Sequence, residues 1–130
     1  MDDLILGLYR PMGDPIAGGM GKVLRVHHTQ WEVDLAMKQP HPHLFETEAQ
    51  KQNFIHECEA WINLGLHPHI VSCHYVREVS GIPSIFAEWM DGGNLASWIN
   101  SGKLYEDGES DALRRILDIS IQFAWGLDYA

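Results

Sequence analysis

A lysine, a glutamate and a run of glycines are the residues of this chain whose types and order could do chemistry. Lys38 closes the segment Val33-Asp34-Leu35-Ala36-Met37-Lys38, Glu57 lies further on among spaced apolar residues, and Ala17-Gly18-Gly19-Met20-Gly21 precedes both. Glycines free the backbone to approach a ligand closely, and their amide N–H groups can face an anion. An ammonium can hold oxyanions, and a carboxylate beside it can hold the ammonium. Such groups can grip a charged ligand if the elements between them bring them to one place.

Those elements can be read from periodicity. Two-residue alternation predicts a strand over 33–38, with Val33, Leu35 and Met37 on one face and Asp34, Ala36 and Lys38 on the other. A flat ring could lie on the small Ala36 while Lys38 reaches past it. Taken alone, the run reads first as a surface lysine at a strand end, since lysine is rarely buried unless paired. From Thr47 to Leu64 apolar residues recur at Phe54, Cys58, Trp61 and Ile62, the spacing of a helix face, and Thr47 with Gln50 has the form of a capping box. Glu57 falls three residues after Phe54 and four before Trp61, so it is expected to point toward whatever the helix packs on. A buried carboxylate needs a cation or takes up a proton. Lys38 is the predicted partner.

Three phosphate-binding patterns compete for the glycine run. A Walker A loop requires Gly-Lys-Ser/Thr, but Gly21-Lys22 is followed by Val23, and Ile16 stands where its first glycine belongs. A dinucleotide fingerprint requires a helix straight after the last glycine, whereas Lys22 to His27 alternates as a strand does. The third is a glycine hairpin folded over phosphates, with a β-branched residue two positions past the last glycine and a lysine on the next strand. Val23 and Lys38 satisfy it. A glycine-rich hairpin with no ligand satisfies this segment equally well.

Around this centre, residues 4–16 read as an irregular lead-in and a first strand. Gly65 to His69 breaks the helix, 70–76 and 82–90 read as a strand pair joined at Ser80-Gly81, and Asp91-Gly92-Gly93 forms a corner. Asn94 or Ser97 opens a short helix from Leu95 to Ile99. The acidic stretch 106–111 suits a solvated loop and a helix N-terminus. Apolar residues at 113, 116, 117, 121, 124 and 127 predict a final amphipathic helix from Leu113 to Tyr129. No cap follows it, so a truncated chain is expected, with part of that apolar face uncovered.

Composition excludes several classes. The 130 residues are 45% apolar and carry a net charge of −9 spread over both halves, with no basic patch for nucleic acid or an anionic membrane surface. No run approaches the ~18 apolar residues of a spanning helix, and Met1-Asp2-Asp3 does not open a signal peptide, so a cytoplasmic location is expected. Cys58 and Cys73 are expected to be reduced and packed. The pairs His27-His28, His41-Pro42-His43 and His67-Pro68-His69 invite a metal, but an intervening proline is expected to point the rings apart. His67 is expected to hydrogen-bond loop backbone. Trp61 and Trp125, on helical stripes, are expected in the core, with Trp31 and Trp89 near turns.

Taken in order, the glycine loop, Ala36-Met37-Lys38, Glu57 in its helix, His67-Pro68-His69-Ile70-Val71 and the acidic-aromatic corner at Glu88-Trp89 resemble the N-terminal part of a protein kinase domain, most of all that of bacterial Ser/Thr kinases. The resemblance runs from about Tyr9 to Ala130. It implies an α+β fold: a kinase-like N-lobe, a twisted antiparallel sheet of about five strands with one packed helix, followed by the first two helices of the C-lobe. The expected divisions are a lead-in over 1–8, the N-lobe over 9–90, and the hinge exit with C-lobe helices over 91–130. It further implies that Gly18, Gly19, Met20 and Gly21 cover the phosphates of ATP, with Val23 and Ala36 above the adenine. Lys38 would bind the α- and β-phosphates and pair with Glu57. Ala87 would be the gatekeeper, Glu88 and Met90 would offer backbone groups to the base, and Asn94 would lie near the ribose.

Two departures matter. The family's first loop glycine is matched by Ile16, which cannot take φ > 0 cheaply. The His-Arg-Asp loop and the metal-binding Asp-Phe-Gly do not occur in this sequence, so Mg²⁺ is expected only with a C-terminal half, and the chain alone is expected to be inactive. The implied activity is transfer of the ATP γ-phosphate to a protein hydroxyl, with a protein substrate, the remaining C-lobe and possible downstream domains as partners. The other reading is a kinase-like scaffold acting through protein contact; the retention of Lys38 and Glu57 favours the enzyme.

Overall fold

A computed structural model describes residues 3–19 and 21–130; Met1, Asp2 and Met20 lie outside the described residues. Contacts divide the chain into two compact units, one running to Gly65 and resuming at Val71–Trp89, the other made of Leu66–Ile70 and Met90–Ala130.

The first unit is built on an antiparallel sheet of six strands: β1 (Tyr9–Pro11), β2 (Ile16–Gly18), β3 (Gly21–His28), β4 (Val33–Pro40), β5 (Cys73–Val79) and β6 (Ile82–Glu88). The order is β1-β3-β4-β6-β5, with β2 also paired to β3. A count of about five strands becomes six because the strand beside β3 is in two pieces. β1 pairs with Val26–His28 and β2 with Gly21–Val23, and Gly13 and Pro15 interrupt the ladder between them.

Alternation along β4 places Leu35 and Met37, both nearly fully buried, in a core with Tyr9, Val26, Val79 and Phe86. Tyr9 stacks on Phe86 at 4.4 Å, and its hydroxyl hydrogen-bonds that of Tyr75. Burial and this bond both push the Tyr75 phenol up. On the other face Cys73, Ile85 and Ala87 meet Cys58 of the packed helix, flanked by Phe54, Trp61, Ile62 and Val76. That helix, α1 (Glu48–Asn63), begins with the expected capping box: Gln50 N–H donates to Thr47 Oγ1 (3.2 Å) and Thr47 N–H to Gln50 Oε1 (3.1 Å). β5 and β6 join through Ser80 and Gly81, both at positive φ as a two-residue hairpin with a type I′ turn requires. β5 starts at Cys73 rather than Ile70 because the Ile70 N–H is taken by the His67 carbonyl (3.3 Å). β6 ends at Glu88, two residues short of the expected Met90.

In the second unit, α2 (Leu95–Asn100) is capped by Asn94, whose Oδ1 accepts the Ser97 N–H at 2.8 Å. α3 (Gly108–Tyr129) starts ahead of the predicted Leu113. Glu109 and Asp111 favour its first turn, and Arg115 donates back to the carbonyls of Leu104 (2.8 Å) and Glu106 (3.2 Å). Its packed face holds Ala112, Ile116, Ile119 and Gly126, while Leu113, Leu117 and Ile121 of the predicted stripe are exposed. Trp125 is not in the core: it is exposed and its ring lies against His69. A Cβ at Gly126 would stand 2.7 Å from the His69 carbonyl, so only glycine lets that loop lie on the helix. Among the described residues no helix is long and apolar enough to cross a membrane.

Candidate functional site

Strand register decides which side chains share a face. Val23 is opposite Lys38 and Arg25 opposite Ala36 across β3 and β4; Lys38 is opposite Ile85 and Ala36 opposite Ala87 across β4 and β6. Residues directly opposite one another in antiparallel strands project to the same side. Val23, Ala36, Ala87 and Lys38 therefore lie on one face, with two small side chains in the middle and an ammonium toward one end.

At that end stands the glycine hairpin. Ile16, Ala17 and Gly18 of β2 pair with Val23, Lys22 and Gly21 of β3, with Gly19 next along the chain; Met20 lies outside the described residues. A Cβ at Gly21 would fall 2.2 Å from the Gln39 carbonyl oxygen and 2.7 Å from Pro40 Cα, so the close approach of β3 to β4 demands glycine. Ile16 is not strained. It sits in the strand, opposite Val23, and is not among the residues with positive φ, so the backbone has no need of a glycine there. The His41 ring, through Nε2, donates to the Gly18 carbonyl at 3.1 Å.

Lys38 and Glu57 line one cavity of about 350 Å³ with Leu44, Phe54, Cys58 and Ile85. The expected buried ion pair is corrected. Both residues are exposed, and among the described residues no ion pair joins them. Cys58, 3% exposed, takes the inward position of α1, and Glu57, about 100° around the helix, stays at the rim where water solvates it. The thiol of Cys58, which lines the cavity, and that of its buried neighbour Cys73 are held in the neutral form. Burial first, with its neighbour Cys73 adding to it, pushes Cys58 up to about 11, and burial pushes Cys73 up to about 11. Both are free and buried, as expected.

At the other end of the face is a cluster that residue types alone did not reveal. Arg25 donates through Nε (2.8 Å) and Nη2 (2.6 Å) to Asp34 Oδ2, and His27 Nδ1 lies 2.8 Å from Asp34 Oδ1. The hydrogen bond from His27 and then that from Arg25 hold the Asp34 carboxyl below its usual range. The Arg25 guanidinium also lies over the Trp89 ring, 5.0 Å from its centre. Only the pairing of β3 with β4 makes neighbours of these positions.

Of the remaining predicted residues, Glu88 ends β6, its N–H donating to the Ser72 carbonyl (2.9 Å) and its carboxylate accepting the Ser72 N–H (3.3 Å). Met90 and Asn94 belong to the second unit, where Met90 is exposed and the Asn94 side chain is engaged as the cap of α2. The histidine pairs do not point apart. His41 and His43 stack at 5.4 Å because a 3₁₀ turn (Pro42–Phe45) starts at the proline between them, and His67 and His69 meet at 5.7 Å. His67 Nδ1 accepts the His69 N–H (3.1 Å), the backbone role expected of it. Among the described residues no three His, Cys, Asp or Glu side chains converge to hold a metal ion.

A family model described as protein tyrosine and serine/threonine kinase matches residues 13–130. Among solved structures, the chain is similar to the Mycobacterium tuberculosis PknI kinase domain. For a double mutant of that domain the TM-score is 0.72 at 24% identity, covering 98% of this chain and 50% of that one. For a single mutant it is 0.69 at 25% identity, covering 93% and 47%, and for another crystal structure of the domain 0.64 at 24%, covering 77% and 40%. The chain thus spans half or less of the length of these domains. No curated protein matches it.

Proposed function

Because the chain belongs to the protein tyrosine and serine/threonine kinase family, we propose that its sheet-and-helix unit is the ATP-holding part of a serine/threonine protein kinase. The observation that carries this reading is the shared face of Val23, Ala36 and Lys38, with the glycine hairpin at its Lys38 end. ATP fits the groups present. The methyl of Ala36 leaves room for a flat base, Val23 closes one side, and backbone N–H groups of Gly18, Gly19 and Gly21 in the hairpin can face the phosphates. Lys38, exposed and without an ion-pair partner among the described residues, is available to phosphate oxygens. Glu57, which lines the same cavity, would hold the ammonium once the bound phosphates draw Lys38 inward. Glu88 offers its backbone carbonyl to the base edge.

When bound, ATP supplies the phosphoryl group that passes to a serine or threonine hydroxyl of a protein substrate. The protein's residues bind and orient the nucleotide; the 130-residue chain by itself is proposed to transfer no phosphate, with a cytoplasmic site of action. Calorimetric titration with ATP tests the reading. Binding that falls about 10-fold in Lys38→Met is expected, and equal binding by the variant, or none by the wild type, overturns it.

A further inference from the structure

Beyond the residues given roles above, the same face carries a second charged row. Along β3 its residues run Val23, Arg25, His27, and along β4 Lys38, Ala36, Asp34. Arg25, His27 and Asp34 therefore close the floor at the end away from Lys38. The row is tightly knit: two guanidinium N–H groups sit on one Asp34 oxygen, His27 on the other, and the guanidinium over Trp89.

We infer that Arg25 is a positioning residue for the base end of the bound nucleotide, an inference that rests on the ATP-holding reading. Trp89 follows Glu88 directly, and the Glu88 carbonyl and the Trp89 N–H belong to one rigid peptide plane. Holding the Trp89 ring restrains that plane. The hold is stiff because Asp34 fixes the planar guanidinium through Nε and Nη2 at once, a geometry that lysine cannot copy. A cation over an indole face adds an attraction that neutral residues lack. β3 and β4 thus restrain the stretch leaving β6, and the carbonyl offered to a base keeps its place beside Ala36 and Ala87.

The test uses the 130-residue chain with Arg25→Gln, Arg25→Lys and Lys38→Met, each titrated with adenosine and with ATP. The Trp89 indole N–H is followed by NMR, its signal assigned through Trp89→Phe. Arg25→Gln is expected to shift that signal and to weaken adenosine and ATP alike by about 5- to 10-fold. Lys38→Met is expected to weaken ATP alone, and Arg25→Lys to recover part of the affinity. A loss confined to ATP overturns the inference, because it would make Arg25 a general attractor of negative charge. Unchanged binding in Arg25→Gln, with Lys38→Met still losing ATP, overturns it while the ATP reading stands; a wild type that binds neither ligand overturns both. Should Arg25→Gln fail to fold, Asp34→Asn decides, since it loosens the guanidinium but leaves it in the chain. Weaker binding of both ligands supports the role, and unchanged binding overturns it.

Discussion

Ala36 and Ala87 stand opposite one another across β4 and β6, so two methyl groups lie side by side next to Lys38. Their sizes make them the flat part of the face. Ala36 is only half-buried, and a larger side chain there has somewhere to go. Ala36→Leu is therefore expected to leave thermal unfolding nearly unchanged while reducing ATP affinity by about 10-fold or more, by filling the space a base would occupy. Calorimetry beside a melting curve checks it. Undiminished affinity would show that no ligand lies on Ala36.

Local signals were legible in the sequence and angular ones were not. Thr47 and Gln50 announce the start of α1 because a capping box needs only residues three apart, and the glycine hairpin shows itself in five consecutive residues. The alternation of β4 likewise picks out Leu35 and Met37 as core. Glu57 departs from the inward position because a stripe of Phe54, Cys58 and Trp61 covers a wide arc, and the packed sheet, not the helix, decides which part of it faces inward. In α3 the helix, Ile116 on its packed face and an uncovered part of its apolar stripe are as the period predicts, but Leu113 fits the period as well as Ala112, and only the packed neighbours choose between them. Arg25 with Asp34 could not be seen at all, since their contact exists only in the β3–β4 register.

The rim position of Glu57 makes a quantitative difference. A buried ion pair broken at one partner costs about 3–5 kcal/mol, whereas an exposed carboxylate changes stability by about 0.5 kcal/mol or less. Since Glu57 is exposed and unpaired among the described residues, Glu57→Gln is expected to fall in the second range. Urea unfolding measures it. A loss above about 2 kcal/mol would mean that the carboxylate is buried against Lys38 after all.

Two glycines of the hairpin should respond to the same substitution with very different costs. At Gly21 an added Cβ meets the Gln39 carbonyl at 2.2 Å and backbone φ is +150°, while at Gly19 nothing lies within 4 Å of it. Gly21→Ala is expected to cost about 1–3 kcal/mol, because backbone must move on both strands, and Gly19→Ala about 0.5 kcal/mol or less. Paired unfolding curves of the two variants check the contrast. Equal stability in both would show that β3 does not approach β4 so closely.

His28 gives the first unit a stability that depends on pH. It is 3% exposed, its ring stacks on Trp31 at 4.2 Å with an interplanar angle of 6°, and its Nδ1 accepts the Trp31 N–H at 3.0 Å. That acceptor role requires an unprotonated nitrogen. Burial lowers its pKa from the ordinary 6.5 and outweighs a backbone hydrogen bond that raises it, while the nearby charges of Arg77 and then His27 add to the lowering. A group whose folded value is depressed contributes stability that is complete above the unfolded value and is lost as pH falls toward the folded one. The contribution is thus present at pH 7.5 and fades below about 6.5. His28→Gln, which can still accept a hydrogen bond but does not titrate, is expected to be less stable than wild type at pH 7.5 and to lose less on going to pH 5.5. Urea unfolding at the two pH values measures both slopes, and parallel losses would mean that His28 binds its proton as readily in the folded chain as in the unfolded one.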